Sequence, residues 1–147
     1  MENIMNRYLI IEEKVHQLLS KIYLEALKIH AYKHLHGCVM MITQLAIKRQ
    51  LNVELARIAA ILHDIATYSE NCPHRIHAQK SAILAQSILE ETTLFSESEI
   101  HTIVSMIEHH SQKDIVHDEM CELLKDADAL TSYYDDLNEP HKRIQAL

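Results

Sequence analysis

From Val53 to Ala66 the chain is apolar on most sides of a helix, with Leu55, Ile58, Ala59, Ile61, Leu62 and Ile65 following one another closely. A helix that is hydrophobic nearly all round belongs in the middle of a domain, so other elements must surround it. Asn52 is a plausible N-cap at its start. The surrounding elements are helices as well. One glycine and two prolines, among many Leu, Ile, Ala, Glu and Lys residues, leave few places where a helix would stop. The expected fold class is all-α, a bundle of five or six helices with short connections. A chain of 147 residues is most simply a single domain, residues 1–147, around one core.

The remaining segments follow from apolar periodicity. A first helical segment is expected from about residue 3 to 33, with one break within it and Leu9, Ile10, Val15, Leu18, Leu19, Ile22 and Leu27 among its inward positions. A second runs from about His36 to Gln50, its first turn weakened by Gly37. Residues 67–76 read as the one clear loop. A fourth helix runs from about His77 to Glu91. Ser96 and Glu99 form a Ser-x-x-Glu capping box ahead of a fifth, which ends near His110. The last spans about Asp118 to Asp135.

Two polar residues, His63 and Asp64, stand near the end of the apolar helix. A carboxylate there is costly unless a cation or several donors pair with it. For His63 the structural alternative is a histidine favoured by the helix dipole. Imidazole and carboxylate together make a ligand set for a divalent transition metal. His36, His77, the pair His109-His110 and Asp128 lie at or near the ends of other helical segments. Ligands borne on separate helices can converge in a bundle core. His16, His30, His34, His101, His117 and His141 have no supporting pattern and read as surface or satisfied structural residues.

Taken in order, His36-Gly-Cys-Val, then Ala-Ala-Ile-Leu-His63-Asp64-Ile-Ala, then Leu-Lys-Asp-Ala-Asp128-Ala-Leu resemble the HD-domain superfamily. That family is all-α and is named for adjacent His-Asp ligands on a central helix; most characterised members are metal-dependent phosphohydrolases. The resemblance covers about residues 30–132. It implies metal ligation by His36, His63, Asp64 and Asp128. Asp126 competes with Asp128, but the two point in different directions on a helix, and the family's ending favours Asp128.

His77, followed by the small residues Ser81, Ala82 and Ala85, is similar to a fourth element found in a two-metal subset of the family. Ile103-x-x-x-Ile107-x-x-His110-Ser111 is similar to its fifth. His110 falls on the apolar stripe and is preferred to His109, and His77 is preferred to His74, which lies in the loop. In that subset the central carboxylate, here Asp64, bridges the two metals. The resemblance therefore implies a cofactor of one or two divalent transition metal ions, with Fe, Mn, Ni, Co and Zn all open. The implied activity is hydrolysis of a small phosphorylated substrate, such as a nucleotide or dinucleotide, by metal-activated water, with Asp64 at its centre. Many members place Gly-Lys after His-Asp-Ile, where the lysine can meet phosphate. This chain has Ala66-Thr67 instead. Phosphate contacts must come from elsewhere, and Arg75, Lys80 and Lys113 are the nearby candidates.

Two other readings stay open. A minority of the family uses the same ligands in a di-iron oxygenase, and a non-catalytic binding protein can retain the fold. A formal net charge of −7 disfavours a polymeric nucleic-acid partner. No apolar run approaches the length of roughly 18 residues needed to span a membrane, and no secretory signal is evident. Cys38, Cys72 and Cys121 show no metal or disulfide spacing and read as reduced thiols. The chain is expected in the cytoplasm, with a homodimer left open.

Overall fold

The computed structural model describes residues 6–137 and 142–147. The first residues of the expected 3–33 segment and His141 lie outside them. The described residues form helices and no strand, six of the helices being ten residues or longer. In chain order these are α1 (Arg7–Leu19), α2 (Glu25–Arg49), α3 (Val53–Leu62), α4 (Ile65–Ser69), a 3₁₀ turn (His74–Ile76), α5 (His77–Thr92), α6 (Glu97–His109), α7 (Glu119–Asp135) and a short α8 (Lys142–Gln145).

Helix starts follow local chemistry. The Asn6, Asn52 and Asp118 side chains accept from the backbone N–H groups of Leu9, Leu55 and Cys121, each satisfying one unpaired donor of a first turn. At α6 both halves of the capping box are present: Ser96 accepts from Glu99 N–H, and Glu99 accepts from Ser96 N–H. α2 and α5 end on Gln50 and Thr93 in the left-handed conformation.

The expected loop 67–76 holds the end of α4 and the 3₁₀ turn, and two further differences from the sequence expectation bear on the site. The break in the first segment falls at residues 20–24, and α2 then runs uninterrupted through His34, His36 and Gly37. A single glycine costs a helix only about 1 kcal/mol. The stripe Ala31, Leu35, Cys38, Ile42 and Ala46, all buried, binds this helix to the core across that position. The second difference is at the end of the apolar helix. α3 stops at Leu62, and His63 and Asp64 form a corner before α4. At Asp64 the backbone leaves helical geometry (φ −115°, ψ 17°).

α3 lies at the centre, as its sequence demands, packed by α1, α2, α6 and α7. Ile58, Ile61, Leu62 and Ile65 are fully buried with Leu35, Ile42, Leu89, Ile103 and Met106. Arg7 ties the outer helices together, its guanidinium meeting Glu54, Glu99 and the Leu94 carbonyl. At the other end Lys125, fully buried, donates to the Ile115 carbonyl (2.7 Å) and Glu122 (2.6 Å). Arg143 adds Glu122 and Asp126, each at 2.9 Å. Among the described residues no helix is long and apolar enough to cross a membrane.

Candidate metal centre

The corner at His63-Asp64 turns two polar side chains from the most apolar helix toward one point between α2, α5, α6 and α7. His63 is fully buried. α7 brings Asp128 to the same point, α5 brings His77 on its first residue, and α6 brings His110 just past its last. α5 lies close because Ser81, Ala82 and Ala85 are small and buried, and the Ser81 hydroxyl accepts from Ala66 N–H (3.1 Å).

The contribution of α2 is His34 and not the expected His36. Two residues apart on a helix, these side chains point about 200° apart. His34 shares the buried face with Ala31, Leu35 and Cys38. His36 sits on the outer face, 41% exposed, stacked on Tyr32 and 3.5 Å from Glu12. The signal that identifies His34 is its register, four residues before the inward Cys38; placing a helix start at His36 conceals it.

The cluster has two halves sharing Asp64. On one side the Nε2 atoms of His34 and His63 are 3.2 Å apart. Asp64 Oδ2 lies 3.2 Å from His34 Nε2 and 3.4 Å from His63 Nε2, and Asp128 Oδ1 lies 3.3 Å from each. On the other side His77 and His110 present Nε2 atoms 3.1 Å apart. Asp64 Oδ1 is 3.3 Å from the first and 3.2 Å from the second.

The backs of the rings determine what these nitrogens offer. The Nδ1 atoms of His63 and His110 lie 2.7 Å from the carbonyls of Ala60 and Ile107, and His77 Nδ1 faces the His74 carbonyl. A carbonyl only accepts, so Nδ1 carries the proton and a neutral ring turns its Nε2 lone pair inward. Lone pairs then face lone pairs and carboxylate oxygens, an arrangement that requires a cation between them. Asp64 Oδ1 bears this out: it is buried with no hydrogen-bond partner, although two imidazole nitrogens flank it. Ligands held at about 2.0–2.2 Å around one ion are about 3–3.5 Å from each other, which is the spacing observed. The residues present therefore fit a divalent ion in each half.

The charge balance follows from the same contacts. Burial opposes ionisation of Asp64, but the surrounding imidazoles of His63, His110 and His34 outweigh it and hold the carboxyl well below its usual range. Asp128 is likewise held low against burial, by His34 and His63. Burial pulls His34 down, yet Asp128 and Asp64 lift it to about 10. For His110 burial prevails and the ring is shifted down.

The competing candidates separate clearly. Asp126 faces away and pairs with Arg49 (2.8 Å) and Arg143 (2.9 Å). His109 bonds the Ser105 carbonyl (2.9 Å) and stacks on His117. His74 stacks on His77, with ring centroids 4.6 Å apart, and borders the site. A cavity of about 270 Å³ opens over the cluster, lined also by Thr67, His74, Ser111, Lys113 and Ser132. Arg75 and Lys80 are exposed and do not line it, so the structure gives them no place in the site.

Comparison with known proteins agrees with this architecture. The family model for the HD domain matches residues 31–133. A solved structure, that of a predicted HD superfamily hydrolase from an uncultured Thermotogales bacterium, superposes with a TM-score of 0.68 at 24% identity. The match covers 87% of this chain and 68% of that one. No curated protein matches. With residues 31–133 accounted for by one family and the His-Asp corner at the centre of the cluster, the chain belongs to the HD-domain family.

Proposed function

We propose that the protein is a metal-dependent hydrolase of small phosphorylated compounds, nucleotides or dinucleotides among them. The observation that carries this reading is Asp64, whose two oxygens face two separate groups of imidazoles. A carboxylate so placed would be shared between the two groups of imidazoles in holding divalent ions. His34, His63 and Asp128 would complete the holding of one, and His77 and His110 the other. A divalent ion supplies Lewis acidity to a phosphoryl oxygen and lowers the pKa of a coordinated water to about 7.

The chain's own residues do the rest. The three carbonyl-bound Nδ1 protons keep His63, His77 and His110 in the tautomer and orientation that leave Nε2 free. Asp64 and Asp128, held ionised, concentrate negative charge where divalent ions would be held. The cavity of about 270 Å³, lined also by His74 and Ser132, is large enough for a phosphoryl group.

The test is metal analysis of the protein as purified, followed by a screen of phosphomonoesters and phosphodiesters with Mn²⁺, Co²⁺, Ni²⁺ and Fe²⁺. About two equivalents of metal with phosphate release supports the reading. Oxygen consumption by an iron-loaded sample without phosphate release would replace it with an oxygenase.

A further inference from the structure

Among the described residues that line the cavity, Lys113 is the one lysine or arginine. It sits three residues past His110, and its Nζ donates to Asp128 Oδ2 (2.6 Å) and to the His110 carbonyl (3.2 Å). Asp128 thus divides its oxygens: Oδ1 faces the imidazoles of His34 and His63, and Oδ2 faces the ammonium. A lysine ammonium has three donors and no acceptor. Two are used, and the third remains for the cavity.

The backbone at this position is pinned, since Arg143 donates from Nε and Nη2 to the Lys113 carbonyl at 3.2 and 2.8 Å. The side chain is 20% exposed, so the ammonium is partly shielded from water, where a charge-assisted bond is strengthened. The same cavity is lined by Thr67, whose Oγ1 is buried with no hydrogen-bond partner. A buried hydroxyl without a partner is costly until a ligand supplies one.

We infer that Lys113, assisted by the Thr67 hydroxyl, grips a non-bridging oxygen of the substrate's phosphoryl group over the metal cluster. This inference rests on the hydrolase reading and names the side chains that select an anionic head group. Lys113 holds Asp128 with one donor, the His110 carbonyl with a second and the phosphoryl oxygen with the third. Its ammonium offsets the negative charge that Asp64, Asp128 and the incoming phosphate bring together.

The experiment measures inorganic phosphate binding to the full-length, Mn²⁺-loaded protein by ³¹P relaxation and calorimetry, with metal content determined on each sample. A hydrogen bond from a charged donor corresponds to a loss of about tenfold or more when removed. Lys113→Met should keep its metal and bind phosphate at least about tenfold more weakly. Lys113→Arg, which keeps the charge, should recover most of that affinity. Thr67→Val leaves Lys113 in place and should weaken phosphate by a smaller factor with metal content unchanged.

Wild-type phosphate affinity in Lys113→Met overturns the inference while the hydrolase reading stands, provided the wild type releases phosphate from esters. Loss of metal together with phosphate in Lys113→Met also overturns it, because the lysine then acts through Asp128. A metal-loaded wild type that neither binds phosphate nor hydrolyses any ester removes both.

Discussion

Asp64 divides its two oxygens between two groups of imidazoles, so its charge matters more than its shape. Asp64→Asn keeps the size and removes the charge. Metal content and hydrolysis should both be lost, while the unfolding midpoint of the chelator-treated protein stays constant or rises, since a buried carboxylate without its cation is unfavourable. Elemental analysis, a phosphatase assay and thermal unfolding of the same sample check this. A variant retaining full metal and turnover would end the mechanism. His34 and His36 offer an equally direct comparison. His34→Gln should release metal because its Nε2 is shared among His63, Asp64 and Asp128. His36→Gln should leave metal content near wild type, since its ring lies at the surface against Tyr32 and Glu12. The same pair marks how far residues can be read from sequence. His63, Asp64, His77, His110 and Asp128, which the family resemblance implies, are among the residues the structure brings together. His34 was concealed by starting a helix at His36, whereas α2 begins at Glu25. Lys113 was one of three equal cations in sequence, and only the folded loop after α6 separates it from Arg75 and Lys80.

At the level of elements, the site depends on how closely α2 and α7 approach, because His34 and Asp128 lie on them. Gly37 sets that distance: a Cβ there would lie 3.1 Å from Thr131 Cγ2. Thr131 has little room to yield, being buried with its hydroxyl bonded to the Ala127 carbonyl (2.7 Å). Gly37→Ala gains about 1 kcal/mol of helix propensity, and the overpacking costs about 1–3 kcal/mol. Net stability should therefore fall by no more than about 2 kcal/mol, while the helices part slightly. Metal affinity should drop more clearly than the unfolding midpoint. Chelator competition and thermal unfolding separate the two effects; an unchanged metal affinity would show that α2 and α7 do not set the site. The starts of α3, α6 and α7 were the most legible, since Asn52, Ser96 and Asp118 carry their capping chemistry in the residue itself. The corner at Asp64 was illegible for the opposite reason. Ile65 and Ala66 prolong the apolar pattern of α3, and only tertiary packing, including the Ser81 hydroxyl on Ala66 N–H, turns the chain there.

Across the whole molecule, pH acts on two separate sets of charges. At the periphery, Arg7 and the Ser96 cap hold Glu99 down to about 2. Burial opposes ionisation of Glu122, but Lys125, Arg143 and His117 N–H bring it to about 2 as well. A folded pKa below the unfolded value near 4.5 gives stability that is complete above that value and is lost as pH falls from about 4.5 toward 2. Glu122→Gln should flatten this acid limb. At the centre the sign reverses. In chelator-treated protein His34 is lifted from 6.5 to about 10 against burial by Asp128 and Asp64. Its contribution is therefore complete below about pH 6.5 and disappears as pH rises through about 10. Metal ligation needs that nitrogen bare, so a divalent ion must displace the His34 proton at neutral pH. Loading the chelator-treated protein with Mn²⁺ in weakly buffered solution at pH 7.5 should release about one proton per chain, and the alkaline loss of stability should vanish in the loaded form. Titration of the released acid and unfolding midpoints from about pH 6 to 10, with and without metal, measure both. Metal uptake without proton release would mean that His34 is neutral beforehand, and the charge balance drawn for the cluster would have to be abandoned.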